Sequence, residues 1–209
     1  MTTVAATGLG AMARPEPRVR SARVAELIGA ALGLLESEGP DALTMRQLAA
    51  VVGIRAPSIY KHLDGKTALE VALVEDGLFS MGDALHRAVA QPGPEGQVAS
   101  LLDAYRSEAC ARPNLYRLTT TSSFPRAALL GGLEDWAGEP FFIVTGEAYL
   151  SQALWAFAHG TMILELDERF LEGSDLGLTW QAGATAFGVV RTPSTDPARD
   201  DPAMPAAPK

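Results

Sequence analysis

Apolar residues recur at helical spacing along most of the chain, and no segment alternates strictly enough to be a strand, so the pattern predicts an all-α fold. Val24, Leu27, Ile28, Ala31 and Leu35 mark a first helix from about Ser21, its cap, to Glu38, where Gly39-Pro40 stops it. Met45, Leu48, Ala49 and Val52 give a second, opened by a capping box of Thr44 and Gln47 and broken at Gly53. A third opens with Pro57 in its first turn and runs to Leu63. Lys66 to about Ala90 is a long connecting helix with Leu69, Leu73, Val74 and Leu78 on one side, ending before Gln91-Pro-Gly-Pro-Glu-Gly. Gln97 to Ala111 follows, then a corner at Arg112-Pro-Asn and two shorter helices, Leu115 to Thr121 and Pro125 to Trp136. Pro140 to Arg169 is the longest apolar element, and Asp175 to Val190 the last helix.

The pair of short helices between Thr44 and Lys66 has the layout of a helix-turn-helix. At about 100° per residue Ile59 and Leu63 point the same way and form the buried side. Lys61 then lies almost opposite, with Tyr60 and His62 on the flanks. A ridge of that kind suits the DNA major groove, with the helix N-terminal end and Lys61 near base edges and the flanks near phosphates. Two core-packing helices of an ordinary α-protein would show the same periodicity.

The order LTMRQLAAVVGIRAPSIYKHLDGKTAL resembles the DNA-binding domain of the TetR (tetracycline repressor) family of bacterial regulators nearly position for position. The match combines an Ala-x-x-x-Gly turn, a small-residue entry to the third helix, Tyr60, His62 at an aromatic position, and the Lys of a Gly-Lys-x-x-Leu helix start. The resemblance implies that Arg46, Ala56, Pro57, Ser58 and Lys61 face bases while Thr44, Tyr60, His62 and Lys66 hold phosphates, with Arg55 in the same DNA-binding set. It implies a double-stranded DNA operator, a homodimer and a small-molecule effector as partners. Trp155-x-x-x-His159-Gly160 resembles the Trp…His-Gly marker of one C-terminal subclass of that family.

The two apolar helices near the C-terminus expose more apolar face than one small bundle covers, which a homodimer would bury; Gly160, Gly177, Gly183, Ala184, Ala186 and Gly188 would permit close helix approach, and this resembles the four-helix dimer interface of that family. Phe79, Tyr105, Tyr116, Phe124, Trp155 and His159 are the candidate ligand-binding residues, with Trp136 and Phe157 nearby, although core packing explains the aromatic ones equally well. His159 has no second His or Cys at ligand spacing, and Glu165 and Asp167 read as a solvated helix end. No metal is therefore predicted.

Composition refines this picture in three ways. The net charge of −8 is unevenly spread: residues 14–70 carry eight Lys/Arg against seven Asp/Glu, +1, and residues 71–209 nine against eighteen, −9. An acidic body repels DNA in general and leaves a few cations to set a specific orientation. Cys110 is the only cysteine, so no intrachain disulfide or Cys-based zinc site can form, and a cytoplasmic setting is the default. The N-terminal stretch lacks a secretory pattern, and the uncharged run Ala148 to Leu164 is too short and polar to span a membrane. With no Gly-x-Ser-x-Gly elbow, no phosphate loop and only a chance Gly8-x-Gly10-x-x-Ala13 match, the chain has no predicted catalytic residue and no cofactor.

The expected organisation is a flexible arm at 1–20, whose Arg14, Arg18, Arg20 and Arg23 either lie along DNA or are solvated. A helix-turn-helix domain at 21–66, a ligand-binding and dimerisation domain at 67–191 and a disordered Pro-rich tail at 192–209 follow. The expected function is a ligand-released repressor. The rival reading is a small-molecule-binding or protein-interaction module that keeps the bundle without reading DNA.

Overall fold

The computed structural model describes residues 12–121 and 125–189; the start of the expected arm, Phe124 and the expected tail lie outside the described residues. The rest folds as helices and turns: α1 (Ala22–Glu38), α2 (Met45–Val51), α3 (Ala56–Ile59), α4 (Gly65–Ala90), α5 (Gln97–Ala111), α6 (Pro113–Thr121), α7 (Leu133–Thr145), α8 (Ala148–Leu166) and α9 (Leu176–Val189). No strand forms among the described residues.

Local chemistry explains the first three helices. Ser21 caps α1 by accepting the Val24 N–H. Thr44 Oγ1 accepts the Gln47 N–H at 3.1 Å and donates to Gln47 Oε1 at 2.9 Å, so the expected box closes side chain to side chain. α2 ends in a Schellman pair, Ile54 N–H to Ala49 C=O and Gly53 N–H to Ala50 C=O, with Gly53 at φ 69°.

Two cores share one helix. Leu27, Ile28, Leu35, Leu48, Ile59 and Leu63 of the N-terminal unit pack with Leu69 and Val74 of α4 and with Leu115 and Leu118 of α6. Leu85 and Val89 of the same α4 join Leu101, Tyr105, Phe141, Leu154, Met162 and Trp180 in the second. A displacement of α4 therefore acts on both. α4 also approaches α7 closely: a Cβ on Gly82 would sit 2.4 Å from the Trp136 ring.

Several expectations are corrected. The third helix is a single turn, Ala56–Ile59, rather than a helix to Leu63, and the chain goes on through turns anchored by Leu63 N–H to Ile59 C=O. Pro125 to Trp136 is not one helix; a 3-10 turn at Arg126–Ala128 precedes α7. Pro140 does not start an element but lies inside α7. The carbonyl its missing N–H leaves unpaired, Trp136 C=O, accepts instead from His86 Nε2 at 2.9 Å. The apolar run splits at Gly146, a left-handed C-cap at φ 70°, after which the Glu147 carboxylate caps α8 through the Tyr149 and Leu150 N–H groups.

Gly183 does not face outward. It is buried against α8, where an added Cβ would lie 2.0 Å from Phe157, and Ala184 packs into the second core. The outward stripe is Tyr149, Ala153, Ala156, Gly160 and Leu164 on α8 with Leu178, Ala182, Ala186 and Val189 on α9. Glu165 is no solvated end: it binds Arg106 at 2.6 Å and the Trp180 indole N–H at 2.7 Å, tying α5, α8 and α9.

Residues 12–20 are not a free arm. Arg14 holds Asp83 through two bonds of 2.7 and 2.8 Å and lies over Phe79; Arg18 pairs with Glu75, and Arg20 with Asp76. The Met12 N–H donates to the buried Glu139. The strap runs along one face of α4 because that face presents Glu75, Asp76 and Asp83 at helical spacing.

Candidate functional site

The first candidate surface is the exposed edge of α2 and α3. Ile59 and Leu63 are buried, and Tyr60, Lys61 and His62 are exposed, as helical projection requires even though the helix itself is short. Arg46 and Arg55 are exposed beside them, Arg55 as the N-cap of α3, with Pro57 in its first turn and Ala56 and Ser58 half-buried. Among the described residues Arg46, Arg55 and Lys61 form no ion pair. Lys66 is different: its Nζ lies 3.6 Å from Glu70 one turn on. The Thr44 hydroxyl proton is committed to Gln47. The face thus presents uncompensated positive charge, a phenol and an imidazole on a rigid core, a combination that attracts phosphates and offers donors to base edges.

The second is a cavity of about 610 Å³ walled by α4 (Gly77, Ser80, Met81, Leu85), α7 (Ala137, Gly138, Phe141) and the start of α8 (Ser151, Gln152, Trp155), with Tyr105 and Tyr116 behind them. Of the expected ligand residues, Tyr105, Tyr116 and Trp155 line it. Phe79 does not; it packs with Trp136 beneath the Arg14 guanidinium, on the strap side of α4. Phe124 lies outside the described residues. His159 stands just behind the wall, stacked on Trp155 at 5.6 Å, with Nδ1 2.8 Å from the Tyr116 hydroxyl, whose other partner is the Tyr105 hydroxyl at 2.8 Å.

Burial sets the protonation of that chain. It raises the Tyr105 phenol well above its ordinary value, helped by Tyr116, and pushes Tyr116 up to about 12 against the lowering effect of the Tyr105 hydrogen bond. Burial lowers the His159 pKa. All three are neutral at pH 7.

The cavity's charged groups escaped the sequence reading. Glu108 and Arg112 stand one turn apart across the end of α5, and both bind Ser80: Ser80 Oγ donates to Glu108 at 2.8 Å and accepts from Arg112 Nη2 at 2.5 Å. Arg126 pairs with Glu134. An i, i+4 Glu/Arg pair is a weak sign that resembles any solvated helix face, and only the approach of Ser80 distinguishes it.

Comparison with known proteins agrees with this layout. Residues 27–73 match the family described as bacterial regulatory proteins, tetR family. The chain is 29% identical over 158 residues to an uncharacterised HTH-type transcriptional regulator of Mycobacterium tuberculosis, covering 67% of this chain and 68% of that one. Its fold is similar to a "possible TetR family transcriptional regulator" of Streptomyces coelicolor, at TM-score 0.60 and 19% identity over 79% of this chain and 97% of that one. It is also similar to a TetR variant of Acinetobacter baumannii solved in complex with minocycline, at TM-score 0.55 and 18% identity over 81% and 98%.

Proposed function

We propose, from the premise that this chain is a transcriptional regulator of the tetR family of bacterial regulatory proteins, that it is a dimeric repressor released from a palindromic operator by a small molecule. The observation that carries the DNA-reading half is the cluster of Arg46, Arg55 and Lys61, exposed and without ion pairs among the described residues, beside Tyr60 and His62 on an otherwise acidic protein. Two-fold pairing would bury the apolar and small-residue stripe of α8 and α9 and set the two reading faces about 34–36 Å apart, or a multiple of it. The cavity supports the release half. It opens on α4, the helix common to both cores, so a ligand that fits only one position of α4 shifts the spacing of the reading faces. The minocycline complex of the A. baumannii relative supports a ligand-binding second domain.

Mobility shift on the gene's own upstream DNA, across a salt series, tests the reading. Lys61→Ala should cost roughly 1–3 kcal/mol on the cognate site and relax one base position, whereas Lys66→Ala should weaken all sequences about equally and flatten the log–log salt slope by roughly one unit. No retarded band at low salt favours the rival interaction module; equal losses for Lys61→Ala on cognate and scrambled DNA make Lys61 a phosphate contact.

A further inference from the structure

We propose that the cavity takes an uncharged, largely apolar ring compound bearing one hydrogen-bond acceptor, and excludes ions of either sign. This rests on reading the cavity as the effector site and adds the class of effector.

The argument is one of charge balance. Four charged side chains line the cavity, and each already has its opposite: Arg112 with Glu108 at 3.1 Å, Arg126 with Glu134. The remaining wall joins the apolar Leu78, Met81, Leu85, Ala137, Phe141 and Trp155 to uncharged polar groups of Thr119, Thr120, Ser151 and Gln152. A carboxylate on the open side of Arg112 would bring a second anion beside Glu108, and an ammonium would bring a second cation beside Arg112. Either ion would add a charge for which the lining, already balanced, holds no counter-charge, in a cavity where the Arg112 and Glu108 side chains are only about a third exposed. The −9 charge of residues 71–209 further opposes an anion.

Among the charged groups of the wall, what remains open is a donor. Arg112 uses only Nη2 toward Glu108 and Ser80, and among the described residues its Nη1 and Nε bind no acceptor, so a ligand carbonyl can take a hydrogen bond without disturbing the pair. The tyrosine hydroxyls are spent on each other and on His159, which removes them as competing anchors. Trp155, half exposed and stiffened by its stack on His159, and the Phe141 ring supply flat apolar surfaces for a ring.

One skeleton in three charge states tests this: 2-acetylnaphthalene, 2-naphthoate and 1-(2-naphthyl)ethylamine, titrated by calorimetry into the full chain without DNA. The ketone should bind at least tenfold tighter than either ion. Glu108→Gln, which keeps a hydrogen bond to Ser80 but uncovers the Arg112 charge, should invert the order in favour of naphthoate. Gly138 has open space where a Cβ would stand, so Gly138→Leu should keep the helical circular dichroism and lose ketone binding. Tighter binding of either ion by the natural chain, no binding of any of the three, or an unchanged order in Glu108→Gln overturns the proposal. Because no DNA is present, a failed operator shift together with a tenfold ketone preference would sink the regulator reading and leave this one standing, and the converse holds as well.

Discussion

The two ends of the molecule use the same residue types in opposite ways. On the proposed reading face, Arg46, Arg55 and Lys61 stand exposed and without ion pairs among the described residues; on the strap and body, Arg14, Arg18, Arg20, Arg106 and Arg112 each bind a carboxylate. A cation left unpaired over a packed core does little for folding and is available to a polyanion. One committed to a half-buried carboxylate contributes to folding and is lost to any partner. The contrast fits the proposed DNA-binding surface to a chain with net charge −8.

The largest effect should come from breaking the paired side. The Glu75 side chain is only 2% exposed and receives Arg18, Arg20 and the Leu130 N–H, so Glu75→Ala leaves a guanidinium and a backbone donor without their acceptor. It should cost about 3 kcal/mol in urea unfolding. Arg46→Ala, on the unpaired side, should stay within about 0.5 kcal/mol while lowering operator affinity. Equal unfolding costs for the two would erase the contrast.

A smaller effect distinguishes packed from open backbone within the body. Gly183→Ala drives a methyl into Phe157 and should destabilise by about 1–3 kcal/mol, whereas Gly138→Ala, in open space on α7, should stabilise by about 0.5–1 kcal/mol through helix propensity. If Gly183→Ala leaves the melting temperature unchanged but splits a dimer, Gly183 belongs to the subunit interface after all.

The smallest is a pH effect. The His159 pKa is lowered by burial, so the unfolded chain binds the proton that the folded chain refuses. Stability should fall as pH drops below about 6.5, the ordinary His value. His159→Gln should flatten that part of the melting profile; a slope unchanged by the substitution would assign it to other groups.

The legible part of this protein was whatever a local period can encode. Thr44 and Gln47, the apolar spacing of α1, α2, α4 and α5, and the opposition of Ile59 and Leu63 to Lys61 follow from residues within a turn or two of each other, and the structure keeps them. Periodicity reports which side is buried, never what lies against it. So Pro140, locally a helix breaker, sits inside α7 because His86, some fifty residues earlier, satisfies the Trp136 carbonyl. Gly183, outward by composition, is inward because Phe157 needs its space, and the arginines of residues 12–20 are a strap because acidic residues of α4 meet them. The cavity's polar groups come from α4, α5, α6, α7 and α8, with Arg126 from the turn before α7, and no spacing along the chain brings Ser80 to Arg112. Those contacts are long-range, and only the packing of α4 between strap and cavity decides them.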